Sequence, residues 1–441
     1  MKTPIYNFLK NYNELNPIRC HMPGHKGKSP VPELNSAYSL DITEISGADS
    51  LFEADGIIQE SEKIMSGLYG TYKTFYSAGG STSCIQAMLT AMKYENRTVI
   101  AVRNVHRSFI NTAVLLDLEV KWLMPDYSEG ILSGTVDLEK AEYLLKNTEN
   151  PCFYVTSPDY TGKLADIANL SKICHKYNAP LIVDNAHGSH LHFFERSMHP
   201  IALGADMCCD SAHKMLPALT GASMLHVSDK KYSENMKQYM TLFCSTSPSY
   251  LIMLSLDLCT EYISADIKHD IKENCNMIDS LKEKFSGKII FADTEPFHIT
   301  ASTGKSGYSG TEFAEILRKN NIECEYSDRE IAVMLMSPMC DKSDYKKLSS
   351  AIEKTLETIP KKEPFFIDFP LKLPKKAMSM RKAVFSANEE IPVEQAENRI
   401  CSAVRVPCPP AVPIVASGEV IDKNSIKIFK NYGISSVIVV K

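Results

Sequence analysis

From about residue 74 the chain repeats one pattern: a short apolar run, a loop, then an amphipathic helix. Thr98–Val102 is β-branched and apolar, and Phe109–Leu118 has helical spacing. Val120–Met124, Cys152–Thr156 and Leu181–Val183 are further short apolar runs, with a helical pattern over Asp166–Tyr177 between the last two. Buried strands alternating with helices predict an α/β domain with a mainly parallel sheet. In such sheets ligands sit at the C-terminal ends of strands.

Composition narrows the function classes. The 441 residues are 44% hydrophobic and 23% charged, as in an ordinary globular protein of two or three domains. A net charge of −5 argues against a general nucleic-acid grip, which needs a basic face. No apolar stretch is long enough to span a membrane, and the first 14 residues carry no export signal. The 13 cysteines are scattered and include no Cys-x-x-Cys pair. That usage fits free thiols in a cytoplasmic protein better than disulfides or structural zinc, so no metal is expected.

Residues 3–15 read as a helix, capped by Thr3 and with Pro4 at its first position. His21–Gly27 is too glycine-rich for a helix and reads as a loop. Near Lys288 a second unit begins, with strands expected at Ile289–Ala292, Phe297–Thr300 and Ile331–Leu335 and a helix at Gly310–Arg318. Ile359–Lys382 is rich in Pro and Lys and reads as a linker or exposed crossover; a rigid turn follows at Pro407–Pro410. The expected divisions are an N-terminal segment 1–60, a large domain 61–287, a small domain 288–360 and a C-terminal domain 361–441.

Three predicted strand ends carry chemistry. Ser77-Ala78-Gly79-Gly80-Ser81-Thr82-Ser83 leads into a helix, so its backbone N–H groups and hydroxyls can cradle a phosphate. A capped turn would use the same residues. Asp184 closes an apolar strand and wants a cationic partner. Lys214, in Asp210-Ser211-Ala212-His213-Lys214-Met215, stands where desolvation frees an amine for imine chemistry. A phosphate site, an acid for a pyridinium nitrogen and an imine-forming lysine are the parts that a pyridoxal 5'-phosphate enzyme supplies.

At these residues the sequence resembles the Orn/Lys/Arg decarboxylase family. His21, Pro23, Gly24, His25 and Gly27 look like its "PGH" signature, and Asp41–Glu44 with Asp49 and Leu51 like its next block. Asn104–Ser108 is similar to the block whose histidine stacks on the cofactor, which gives that role to His106. Asp184 and His187 match the Asp-Glu-Ala-His block. Ser211, His213 and Lys214 match the lysine block. Thr246–Tyr250 and a tail with Pro409, Pro410, Pro413, Gly418 and Glu419 complete an almost end-to-end match. The chain starts at the "PGH" region, like the short form without an N-terminal wing domain. Asn185, Ser157–Gly162 and Cys408–Pro413 depart from the pattern, and bear on the substrate more than on the cofactor.

The resemblance implies the aspartate-aminotransferase-like fold type I, with a large domain built on a seven-stranded-type sheet and a smaller C-terminal α+β region. It implies decarboxylation of arginine, lysine or ornithine to a polyamine-type amine. Enzymes lower barriers by roughly 8–23 kcal/mol, and one general acid or base gives only about 10²–10⁴-fold. An electron sink is therefore required. The implied cofactor residues are Gly80, Ser81, Thr82, His106, Asp184, His187, Ser211, His213 and Lys214. Lys214, Asp184, His106 and His213 are the implied catalytic set, with Lys214 or His213 returning a proton to Cα. Glu44, Asp49 and Asp159 are candidates to meet a basic substrate's distal charge. At least a homodimer is implied, with Thr246–Pro248 reaching the neighbour's phosphate. Rival readings are an aminotransferase or lyase of the same fold, a non-catalytic cofactor-binding protein, and a metalloenzyme using His187, His190 and His192 with His21 and His25.

Overall fold

The computed structural model describes residues 2–366, 371–403 and 412–441. The Pro407–Pro410 turn, with Pro409 and Pro410, lies outside them. Seven strands form the main sheet: β1 (Lys73–Ser77), β2 (Thr98–Val102), β3 (Val120–Leu123), β4 (Pro151–Thr156), β5 (Leu181–Asp184), β6 (Met207–Asp210) and β7 (Ser223–Val227). Most of their residues are buried, which is why they read as continuous apolar runs rather than alternating ones. Contacts divide the chain into two compact units, 1–95 with 182–271, and 96–181 with 272–441.

In the first unit β5 and β6 run parallel, with Asp184 opposite Cys209. Then β7 runs antiparallel to both β6 and β1, pairing Cys208 with His226 and Thr74 with His226. Helix Gly80–Tyr94 follows β1 directly. Helix Pro4–Glu14 forms as expected, but Thr3 makes no side-chain cap. The free N-terminal amide of Tyr6 instead donates to Asp257 Oδ2 (2.9 Å), on helix Tyr250–Ala265. A distant carboxylate thus does the capping, beyond the reach of local pattern reading.

In the second unit β2 runs parallel to β3 and β4. Helices Arg107–Leu116 and Ile167–Lys176 fall where the periodicity puts them; Asp166 caps the second by accepting from the Asn169 amide. A three-stranded antiparallel sheet joins His298–Ala301, Ala332–Leu335 and Tyr326–Ser327. The strand expected at Ile289–Ala292 is reduced to one bridge, Phe291 to Ala301. Its backbone is diverted: Ile290 N–H donates to Ser306 Oγ, and its carbonyl accepts from the Ser302 amide (both 2.8 Å). A C-terminal hairpin, Asn388–Pro392 with Ser436–Val440, closes over an apolar core containing Ile131, Val333, Val393, Ile414 and Val437.

One buried ion pair ties this C-terminal part to β2. The Arg103 guanidinium forks onto Glu419 (2.8 and 2.7 Å), donates to the Pro413 carbonyl (3.0 Å), and lies 4.7 Å from the Trp122 ring centre. Both side chains are nearly inaccessible to solvent. Removing one partner strands a buried charge. Glu419→Gln is expected to lose roughly 3–5 kcal/mol of stability in denaturant unfolding, and an Arg103→Met/Glu419→Met double variant to recover most of it. Equal loss in both would contradict this account.

Asp257 makes stability depend on pH. Burial pushes its carboxyl up to about 6, against the opposing pull of the Ser61 hydroxyl and the Tyr6 amide. Its unfolded value is about 3.9. Between these values the folded state holds the extra proton, so stability falls as pH rises through this window. Asp257→Asn is expected to flatten that slope in unfolding midpoints measured from about pH 4 to 6. An unchanged slope would exclude Asp257 as its source.

Candidate active site

The turn after β1 is built to leave donors free. Ser77 Oγ accepts from the Gly79 amide (3.0 Å) and pairs with Ser83 Oγ (2.5 Å), so these two hydroxyls brace the turn from within. Gly79 stands at the helix N-cap with no side-chain cap. Gly80 has φ +71°, a left-handed conformation that a Cβ disfavours. Ser81 is half-buried and Thr82 exposed; among the described residues their hydroxyls take no protein partner. An uncapped helix N-terminus with two spare hydroxyls is an anion site.

Two consecutive carbonyls join this cradle to the lysine turn. Gly80 N–H donates to Gly221 O (2.9 Å). Both the backbone N–H (3.3 Å) and the ring Nδ1 (2.9 Å) of His213 meet Ala222 O. Burial, and then the nearby Lys214 charge, lower the His213 pKa despite the Ala222 bond, so its ring is neutral at pH 7 with the proton on Nδ1. Ser211 is buried at the N-cap of the short helix Ala212–Met215, and its carbonyl accepts from the Lys214 amide (3.0 Å). Lys214 is half-buried, with Nζ 2.8 Å from His187 Nε2.

Asp184 closes β5 and is only 2% exposed. Its Oδ1 accepts from the Ala186 amide (3.2 Å) and the Cys209 thiol (3.7 Å). The next residue explains a sequence departure. Asn185 Nδ2 donates to Asp210 Oδ1 (2.7 Å), and both are fully buried. A glutamate in place of Asn185 would set two carboxylates face to face. Burial drives the Asp210 carboxyl up, but His199 and His226 beside it more than offset this and hold it well below the usual range. Pattern reading passed over Asp210; its clue was a charged residue ending an otherwise apolar strand.

His106, in the second unit, caps helix Arg107–Leu116: its Nδ1 accepts from the Ser108 amide (3.2 Å) and faces Ser108 Oγ (2.8 Å). Glu44 is exposed and accepts from Ser50 Oγ (2.7 Å). Asp49 accepts from the amides of Ser50, Asp55, Gly56, Ile58 and Gln59, and so closes the loop before helix Ile57–Tyr69. Asp159 is buried and binds the amides of Thr161 and Lys163 and the Thr161 hydroxyl. Asp49 is therefore committed to backbone, whereas Asp159 spends Oδ1 on these donors and its buried Oδ2 takes no hydrogen bond. Thr246 and Ser247 are exposed ahead of helix Tyr250–Ala265. The histidines of the metalloenzyme reading do not assemble among the described residues: His21 bonds Tyr12, His25 bonds Asp41 and His187 bonds Lys214.

An anion cradle, a buried carboxylate at a neighbouring strand end and a half-buried lysine amine fit pyridoxal phosphate. The fold agrees. The structure superposes on the lysine decarboxylase LdcF of Francisella novicida with a TM-score of 0.84, at 16% identity, covering 100% of this chain and 81% of that one. For the constitutive lysine decarboxylase of Escherichia coli the TM-score is 0.79 at 17% identity, covering 100% and 82%. The fold is thus the α/β pyridoxal phosphate fold type I, and the cofactor is pyridoxal phosphate. Residues 3–300 match the Orn/Lys/Arg decarboxylase major domain and residues 363–432 the C-terminal domain of the same family. The chain belongs to the Orn/Lys/Arg decarboxylase family. It is 27% identical to an arginine decarboxylase of Bacillus subtilis over 98% of this chain and 94% of that one. It is 29% identical to the uncharacterized protein YaaO of the same organism, over 97% and 93%.

Gly80→Ala tests the cradle. A Cβ in the left-handed region costs about 1–2 kcal/mol, so cofactor affinity is expected to fall roughly 5–30-fold in a spectroscopic titration of apoprotein. Unchanged affinity would show that this turn does not hold the phosphate.

Proposed function

We propose that this chain decarboxylates a basic amino acid (arginine, lysine or ornithine), releasing CO2 and a polyamine-type amine. The observation that carries this reading is the joining of cradle and lysine turn through Gly221 and Ala222, in a chain of this family. When bound, pyridoxal phosphate supplies the electron sink for the pair left by CO2.

The chain's own residues take these roles. Lys214 holds the cofactor covalently. Asp184 keeps a proton at the ring nitrogen. His106 takes the stacking place that the family resemblance gives it. Gly80, Ser81, Thr82 and Ser211 hold the phosphate, with His213 bracing the same turn. Lys214, rather than His213, returns the proton to Cα. In support, His213 spends its Nδ1 proton on Ala222 O, whereas the Lys214 amine meets His187 at 2.8 Å, an arrangement that steadies it. Glu44 and Asp159 are the candidates for the substrate's distal charge, since both oxygens of Asp49 serve backbone amides, whereas Asp159 Oδ2 takes no hydrogen bond.

A homodimer, with Thr246–Pro248 reaching the neighbour's phosphate, belongs to the same proposal. So does a cytoplasmic site, supported by twelve described cysteines that are all free. No described helix is long and apolar enough to cross a membrane. Chain-order divisions near 288 and 361 belong to the same proposal; the family match that resumes at 363 supports the second.

The test is CO2 release from arginine, lysine and ornithine. One of the three is expected to give CO2 and an equimolar amine. Asp184→Asn is expected to retain the cofactor yet lose at least roughly 10²-fold in kcat. A keto acid without CO2 would indicate an aminotransferase, and bound cofactor without turnover a binding protein.

A further inference from the structure

Behind the lysine turn lies a second cluster that the proposed reaction does not use. Strand geometry assembles it. Cys208 and Asp210 alternate on β6, so they share a face. His226 on β7 is the direct cross-strand partner of Cys208 and therefore projects from that same face. His199 arrives from the loop before β6. All four side chains are 0% exposed.

The ligand atoms converge. His199 Nε2 lies 3.1 Å from Asp210 Oδ2 and 3.9 Å from Cys208 Sγ. These three residues place one ligand atom each within 4.8 Å of one another. His226 Nε2 lies 3.4 Å from the same Asp210 oxygen, a buried contact that pairs it with that carboxylate. Around a tetrahedral zinc with bonds of about 2.0–2.3 Å, neighbouring ligands stand about 3.3 Å apart for N and O, and about 3.5 Å for N and S. The spacings of His199 from Asp210 and from Cys208 bracket those values; His226 stands outside this three-residue group and joins it only through a shift of its side chain.

The surroundings fit at His226 and Asp210, whereas His199 Nδ1 takes no hydrogen bond. A metal-bound histidine usually donates its other ring N–H to an oxygen; His226 Nδ1 lies 2.9 Å from Thr74 Oγ1. Asn185 Nδ2 holds the far oxygen of Asp210 at 2.7 Å. Charge balances too. A divalent cation, one thiolate and one carboxylate sum to zero with two neutral imidazoles, which removes the cost of a lone buried anion.

We propose that His199, Cys208, Asp210 and His226 form a structural zinc site that ties β6 to β7 just before Ser211 and Lys214. Binding displaces the Cys208 thiol proton to solvent and leaves no open coordination position.

The test is metal analysis of the full-length holoenzyme, purified without chelator or metal-affinity tag. About one zinc per chain is expected, and X-ray absorption at the zinc edge should show one sulfur near 2.3 Å with nitrogen and oxygen neighbours. Cys208→Ser and His199→Ala are expected to lose the zinc. Absence of zinc from the native protein, even after incubation with the ion, would overturn the site and leave a hydrogen-bonded Asp–His cluster. So would a zinc edge without sulfur. Because the native protein alone decides these outcomes, a variant that fails to fold does not blur the result.

Discussion

The carbonyls of Gly221 and Ala222 are the points from which the proposed site hangs. One accepts from the first turn of the phosphate cradle, and the other holds both the backbone and the ring of His213, next to Lys214. Two segments separated by more than 120 residues in the chain thereby meet adjacent peptide units at the start of β7. Since β7 is hydrogen-bonded on both edges, to β1 and to β6, these carbonyls cannot drift independently. Precision here comes from a buried sheet rather than from the loops themselves.

Burying charge beside that sheet has consequences that the chain manages locally. Asp184 is met by an amide and a thiol, and Asp210 by Asn185 and two imidazoles. The family's usual glutamate is absent at residue 185, while a carboxylate sits across from it at residue 210. Asn185 donates to that carboxylate, where a glutamate would repel it. In the second unit, Arg103 and Glu419 satisfy each other with extra carbonyl acceptors, as a fully buried pair must.

Much of this was legible in the sequence. Continuous apolar runs marked the buried strands, and their ends carried Ser77–Ser83, Asp184 and Lys214 because α/β sheets bind ligands there. What escaped depended on distant partners. The Asp257 cap on helix Pro4–Glu14 comes from about 250 residues away, and no local rule finds it. Asp49 and Asp159 are candidates for a substrate charge by position alone, because nothing in the pattern shows which amides will converge on them. Ile289–Ala292 has strand composition, but Ser302 and Ser306 take its hydrogen bonds. The histidine runs suggested a metal through His187, His190 and His192. The ligand-like cluster instead gathers around His199, Cys208 and Asp210, through β6 alternation and a loop contact.

The proposed chemistry depends on Lys214 as the residue that carries pyridoxal phosphate. Borohydride reduction of the holoenzyme followed by peptide mass mapping tests it most directly. The cofactor mass is expected on the peptide containing Lys214 and to vanish from that map in Lys214→Ala. A reduced cofactor found on another lysine, or still attached covalently in Lys214→Ala, would contradict the account.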